Sequence, residues 1–282
     1  MRVLVTGSHG FVEMNLIDAL STEHEIIRWD VRSDNTIPMV DAVIHLAGLA
    51  HDTKNVAKPE MYYEVNTFLT RKMYDLFLES NAKKFIFFSS IKARDCDTPY
   101  SESKRKAELY LIEKEDERIK KNKELYILRP CMIHGKGNKG NLNLLVTLFK
   151  KGIPWPMAAF DNNRSFASMG NVSFIVKELL RKEVTSGIYN VCDDDPVLMN
   201  DLIEIICDCL GKKAKLWRVP KVLVKGLAKL GDFLHLPLNT ERFIKLTENC
   251  IIDNSKIKHA LDVAHLPIDA KEGLKYSVKS MI

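Results

Sequence analysis

The chain has 282 residues, enough for one large domain or a main domain with a smaller lobe. It is 46% hydrophobic and 28% charged, a balance that excludes a wholly disordered chain. The formal net charge is +5, but Lys and Arg run along the whole chain, interleaved with Asp and Glu. No Arg-rich block or aromatic–basic repeat points to a nucleic-acid partner.

No run of about 18 apolar residues occurs, so no membrane span is expected. The opening Met-Arg-Val-Leu-Val-Thr-Gly lacks the regions of a signal peptide, and a cytoplasmic protein is expected. Cysteines at 96, 131, 192, 207, 209 and 250 are irregularly spaced. They read as reduced core thiols, not as disulfides or metal ligands.

In chain order, short apolar strands alternate with helical patterns. Strands are expected at Arg2–Val5, Glu25–Trp29, Ala42–Leu46, Lys84–Ser89 and Leu125–Leu128, and helices at Phe11–Leu20, Glu60–Ser80 and Tyr100–Lys120. Near-continuous apolar strands in this alternation predict an α/β fold with a parallel sheet covered on both faces. After Pro130, Gly135, Gly137 and Gly140 punctuate a loop; helices then dominate, with a return strand at Gly187–Val191. The segment Pro220–Pro237 carries Val222, Leu223, Val224, Leu227, Leu230, Phe233 and Leu234 at helical spacing, with Lys221, Lys225 and Lys229 on the other face. Packing on its own lobe is the commoner fate of such a helix and is expected over a membrane-surface role.

Thr6-Gly7-Ser8-His9-Gly10-Phe11 follows the first strand directly and opens the first helix. Gly7 permits a tight turn, Gly10 lets a pyrophosphate approach the backbone, and the helix N-terminus offers N–H groups and a positive dipole end. Asp30 ends the second strand about twenty residues on, where a carboxylate binds ribose hydroxyls and repels a 2′-phosphate, favouring NAD. Arg32 lies two residues beyond it.

Tyr100-Ser-Glu-Ser-Lys104 sets a phenol and an ammonium four apart on one helix face. Such a lysine lowers the phenol's pKa, so that the phenol can exchange a proton with a substrate hydroxyl during hydride transfer. Chance allows about one such match, and Tyr110 with Lys114 also fits. Position selects Tyr100 and Lys104, which follow Thr98-Pro99 at a helix start soon after the strand ending in Ser89-Ser90. Tyr110 lies mid-helix, where a solvated neighbour of Lys114 is expected.

Taken together, these pieces resemble the extended short-chain dehydrogenase/reductases, in particular the NAD-dependent epimerase/dehydratase group of nucleotide-sugar enzymes. Also carrying the resemblance are His45-Leu46-Ala47-Gly48, Val65-Asn66, Phe88-Ser89-Ser90, Leu128-Arg129-Pro130, Arg164-Ser-Phe and Gly187-Ile-Tyr189-Asn190-Val191. The stretches His45–Asn55 and Arg129–Pro156 look most like bacterial epimerase and reductase homologues of surface-polysaccharide pathways. The resemblance implies a Rossmann-type doubly wound domain over 1–130 with 171–192, and a smaller, mostly helical substrate lobe over 131–170 and 193–282. Gly7, Gly10, Phe11, Val12, Asp30, Val31, Leu46, Ala47, Gly48, Asn66, Pro130 and Cys131 would contact NAD. Ser90 would bond the reacting sugar oxygen, Tyr100 would be the acid/base, and Lys104 would hold the nicotinamide ribose. Arg164 would contact the substrate diphosphate, UDP-sugars being the expected class, and a homodimer through the two long helices would be usual.

The implied chemistry is hydride transfer at sugar C4, as an epimerase or as a 4-keto reductase. A 4,6-dehydratase is disfavoured, because Ser90 is followed by Ile91-Lys92 instead of an Asp-Glu pair. Three departures favour the alternative of a non-catalytic binding protein of the same fold. Glu13 stands where a third glycine is usual, only Val31–Asp41 separates two strands that usually flank another strand and helix, and Ser90 lies just ten residues from Tyr100. Asn171 also replaces a usual Asp.

Overall fold

The computed structural model describes residues 1–7, 10–32, 35–49, 58–138, 140–234 and 240–282. Ser8 and His9 of the glycine turn, the end of the His45–Asn55 stretch, and residues 235–237 of the amphipathic segment lie outside the described residues. The chain divides into two compact units, numbered here through both in chain order.

The first unit comprises Met1–Cys131, Asn171–Cys192 and Asp253–Pro267. Its strands are β1 (Arg2–Thr6), β2 (Glu25–Trp29), β3 (Ala42–His45), β4 (Lys84–Phe88), β5 (Glu124–Pro130) and β9 (Gly187–Val191). They form one parallel sheet in the order β2-β1-β3-β4-β5-β9. β3 and β4 are buried along their whole length, as a sheet covered on both faces requires. Among the described residues, β2 passes to β3 with no strand or helix between, which leaves β2 at the sheet edge.

The helices of this unit are α1 (Phe11–Leu20), α2 (Pro59–Tyr62), α3 (Leu69–Glu79), α4 (Pro99–Glu113), α5 (Glu115–Lys120), most of α7 (Met169–Arg181), and α11 (Ser255–Leu261). The single helix expected over 60–80 is α2 and α3 joined by a π-helical turn, Tyr63–Phe68. Tyr74, Phe77 and Phe85 anchor the core between α3 and the sheet, with ring centroids 5.0–5.7 Å apart. Two buried lysines cap helix C-termini. Lys84 Nζ donates to the carbonyls of Leu179, Leu180 and Lys182 at the end of α7, and Lys123 Nζ to those of Phe77, Ser80 and Ala82 at the end of α3. Residues 253–267, grouped from sequence with the substrate lobe, cluster with this unit, where Lys256 Nζ donates to Ile188 O on β9 at 2.8 Å.

The second unit comprises Met132–Gly170, Asp193–Ile252 and Ile268–Ile282. Helices α6 (Asn141–Lys150), α8 (Met199–Cys209), α9 (Lys221–Leu234), α10 (Thr240–Thr247) and α12 (Ala270–Lys279) dominate it. Two strand pairs too short to leave a sequence period accompany them: β6 (Met132–His134) beside β8 (Phe166–Ser168), and β7 (Asn163–Arg164) against β10 (Val197–Leu198). Phe149, Trp155, Phe166, Leu202, Ile206 and Leu274 lie in its core.

Two sequence readings need correction. All six cysteines are free, and Cys131, Cys192 and Cys207 are buried, but Cys96 is exposed at a positive φ of 54° and is no core thiol. Helix α9 packs on its lobe through Val224 and Ala228, with Lys221 Nζ 5.3 Å from the Phe160 ring centroid, while Val222, Leu223, Leu227, Leu230 and Phe233 face solvent.

Candidate active site

The sheet order reverses at β1, which has β2 on one side and β3 on the other, so the carboxyl ends of β1 and β3 open at a topological switch point. Gly7 has a φ of +111°, and a Cβ there would lie 2.9 Å from Ala47 N and from the Leu46 carbonyl carbon. Only glycine lets the turn run that close to the end of β3. Gly10 is the N-cap of α1 with no side-chain cap, and Phe11 and Val12 begin the helix half-buried. This cradle fits a dinucleotide: a turn no other residue could make leads into a helix start whose N-cap, Gly10, has no side chain to cap the first N–H groups.

Glu13 lies in the same first turn and is buried, with Arg28 Nε of β2 3.7 Å from its Oε1. A cation therefore meets the charge that the missing glycine introduces. Asp30 is exposed at the end of β2, and its Oδ1 accepts the Arg32 N–H at 3.0 Å. Val31 points into the core and gives its carbonyl to Lys72 Nζ at 2.9 Å, so its side chain serves packing.

Leu46, Ala47 and Gly48 follow β3. A Cβ at Gly48 would stand 3.0 Å from Lys104 Nζ and 3.1 Å from Asn66 Oδ1, so the glycine leaves room for both side chains. Asn66 is fully buried in the π-helical turn. Its Oδ1 accepts the Leu49 N–H at 2.7 Å, and its Nδ2 donates to Leu49 O at 3.1 Å and Ser103 Oγ at 3.0 Å. It clamps the loop after β3 to α4.

Behind these groups lies a chain of hydrogen bonds centred on His45, whose role the sequence reading missed. The Thr70 hydroxyl donates to Asn66 O at 2.8 Å and so accepts from His45 Nε2 at 3.0 Å. His45 Nδ1 is then left to accept from Thr6 Oγ1 at 2.7 Å, and that oxygen receives the Ala47 N–H at 3.3 Å. This order makes His45 a neutral Nε2–H tautomer. Burial first, and Lys104 second, push its pKa down to about 3.

Ser90 caps a short 3-10 turn, Ile91–Arg94, accepting the Lys92 N–H at 3.2 Å. The chain turns back at Cys96, and Thr98 with Ser101 forms a capping box that starts α4 with Pro99. The ten-residue spacing thereby brings Tyr100 back to the neighbourhood of the Ser90 side chain. Tyr62 packs edge-on to the Tyr100 ring at 6.1 Å. Burial raises the Tyr100 pKa, and the Ser90 side chain offsets only part of that rise.

Lys104 is buried, donates from Nζ to Phe88 O at 2.9 Å and lies 5.0 Å from the Phe87 ring centroid. Burial brings its own pKa down to about 8, against an opposing pull from Glu108. Glu108, also missed from sequence, is fully buried one turn further along α4. Its carboxylate accepts from Ser89 Oγ at 2.6 Å and from Arg129 Nε at 2.8 Å, with a second bond to Arg129 Nη2 at 2.5 Å. That bidentate pair ties the ends of β4 and β5 to the helix that carries Tyr100.

Pro130 ends β5, and Cys131, buried, donates its N–H to Val191 O at 3.1 Å. Both stand at the strand beside the Ser89–Ser90 end of β4. Arg164 belongs to the second unit, half-buried on β7 opposite Val197. Asn171 is buried in α7.

A parallel sheet with a glycine turn at its switch point, Ser90 just past the end of β4, and Tyr100 and Lys104 on α4 defines a dinucleotide-dependent enzyme of the Rossmann type. The chain belongs to the NAD dependent epimerase/dehydratase family, whose description matches residues 3–192. It is therefore an enzyme of the short-chain dehydrogenase/reductase type, and NAD is its cofactor. A UDP-glucose 4-epimerase of Vibrio cholerae is 29% identical over 262 residues, covering 77% of this chain and 78% of the relative. An N-acetyl-alpha-D-glucosaminyl-diphospho-ditrans,octacis-undecaprenol 4-epimerase of Escherichia coli O157:H7 is 27% identical over 253 residues, 78% of this chain and 75% of the relative. In fold, the chain is similar to UDP-glucuronic acid 4-epimerase from Bacillus cereus in complex with NAD, with TM-score 0.75 and 16% identity over 100% of this chain and 96% of the other. Among the described residues no helix is long and apolar enough to cross a membrane.

Proposed function

We propose that this enzyme moves a hydride at C4 of a nucleotide sugar, a UDP-sugar above all, with Tyr100 as the acid/base. The observation that carries this reading is the buried Lys104, its Nζ bonded to Phe88 O at 2.9 Å, one turn along α4 from the Tyr100 that follows Ser90 and the end of β4. Gly7, Gly10, Phe11 and Val12 would hold the pyrophosphate, Asp30 the adenosine ribose, and Leu46–Gly48, Pro130 and Cys131 the nicotinamide end. When bound, NAD supplies the hydride acceptor and donor.

Tyr100 Oη exchanges the proton of the sugar C4 hydroxyl, and the Ser90 hydroxyl steadies the phenolate that forms. Lys104 holds the nicotinamide ribose and adds positive charge to the pocket, and Arg164 grips the diphosphate of the substrate. The same residues serve an epimerase, which returns hydride to the opposite face of the 4-keto sugar, and a reductase of a supplied 4-keto sugar. The epimerase is the stronger reading, since both curated relatives described above bear that name.

A homodimer through α3 and α4 is supported by Phe68, Leu109 and Ile112, which are exposed on or beside those helices. A cytoplasmic setting agrees with six unpaired cysteines. The test is Tyr100→Phe. Turnover of UDP-hexoses should fall by about 10²–10⁴ while NAD binding persists, and unchanged turnover would overturn the mechanism.

A further inference from the structure

Helix α9 has three faces. At about 3.6 residues per turn, Val224 and Ala228 share one narrow arc, and both are buried against the core of the second unit. Beside it, Leu227, Leu223, Leu230, Val222 and Phe233 fan over about 140° of the circumference. The last two are 79% and 80% exposed, and the other three about half. The third arc holds Lys221, Lys225 and Lys229, all exposed, with Asp232, whose carboxylate is held by the Thr240 N–H and hydroxyl. Just ahead of the helix, Trp217 is fixed through its backbone to Trp155, with its indole 57% exposed.

The charge of the chain gathers here as well. Residues 211–234 contain seven basic side chains against one acidic, so the other 258 residues together carry a formal charge of −1. The even spread read from sequence was an average over a basic segment and a slightly acidic remainder. Five large apolar side chains on one open helix face are more than the scattered exposure of an ordinary surface. At 14 residues the helix is too short to span a bilayer, but apolar and lysine arcs side by side suit one that lies in the headgroup layer. A second copy of this chain would bring the same excess of positive charge to the contact and be repelled.

We propose that α9 and Trp217 form a docking surface for an anionic lipid bilayer. The apolar arc enters the boundary between headgroups and acyl chains, and Lys221, Lys225 and Lys229, with Lys213, Lys215 and Arg218 nearby, pair with lipid phosphates. The inference stands apart from the catalytic reading, because none of these residues belongs to the catalytic set.

Flotation of the full chain with vesicles tests it. Binding should be at least about tenfold stronger to phosphatidylcholine vesicles containing phosphatidylglycerol than to pure phosphatidylcholine, and should weaken as salt rises. Replacing Lys221, Lys225 and Lys229 together by Gln should weaken binding by about fivefold per lysine. Leu227→Ser with Phe233→Ser should abolish it, with thermal unfolding no lower than that of the parent protein because both positions are exposed. The Tyr100→Phe protein should float like the parent. Absence of flotation with anionic vesicles, or flotation indifferent to both sets of variants, would overturn the proposal. So would a dimer, seen by sedimentation, that Leu227→Ser with Phe233→Ser dissociates.

Discussion

Helix α4 carries the same four-residue spacing of tyrosine and lysine twice, and the two pairs have opposite surroundings. Tyr100 packs edge-on against Tyr62, and Lys104 is buried against Phe87 and the carbonyl of Phe88. Ten residues on, Tyr110 donates to both carboxylate oxygens of exposed Asp75, and Lys114 pairs with Glu117, each about a third exposed. Burial draws Lys104 down to about 8, whereas the hydrogen bond it donates to Glu117 holds Lys114 above its ordinary range. The spacing is the same, although Lys114 is the C-cap of α4 while Lys104 lies within it. In the mechanism proposed above, burial at the sheet end is what makes the first pair reactive.

The comparison breaks most sharply at Tyr100→Phe, whose expected loss of about 10²–10⁴ in turnover has no counterpart at the second pair. Next in size is the support beneath each lysine. Glu108→Ala leaves the Arg129 guanidinium, little exposed, without its carboxylate, and should cost about 3–5 kcal/mol in urea unfolding. Glu117→Ala, which removes the partner of Lys114, should cost under about 1 kcal/mol because water screens that pair. Equal costs would mean that Glu108 is no structural anchor.

Much of the first unit is legible in the sequence, because each strand is a short apolar run and each turn has its punctuation. Gly7 and the Thr98-Pro99 helix start are signals of that kind. The π-helical turn is not, since one inserted residue barely changes the helical period of 60–80, yet it sets Asn66 against Leu49 and Ser103. Glu108 and His45 were passed over for a related reason. A buried charge or imidazole is meaningful only through partners distant in sequence, Arg129 and Thr70 among them. Nor could the apolar face of α9 be told from a core face by periodicity, which is the same whichever side is covered.

The titration of Lys104 gives a smaller and more specific effect. A buried lysine with a pKa of about 8 carries its charge below that pH and loses it above, so kcat/KM should fall as pH rises through about 8. Glu108 pulls in the raising direction, so Glu108→Gln should move this limb to lower pH while keeping the shape of the site. A limb that stays in place would show that Glu108 acts on stability alone.

The smallest effect is expected at Tyr110→Phe. Burial and the bond to Asp75 raise this phenol to about 12, so it remains protonated wherever the enzyme works, and its hydroxyl is committed to an exposed carboxylate away from the end of β4. Losing its hydroxyl frees an exposed carboxylate that water can serve at once, and the cost to stability should stay within about 1 kcal/mol. Turnover and thermal unfolding of the purified variant measure both quantities. A loss of turnover near that of Tyr100→Phe would show that spacing on α4, and not burial at the end of β4, selects the reactive phenol.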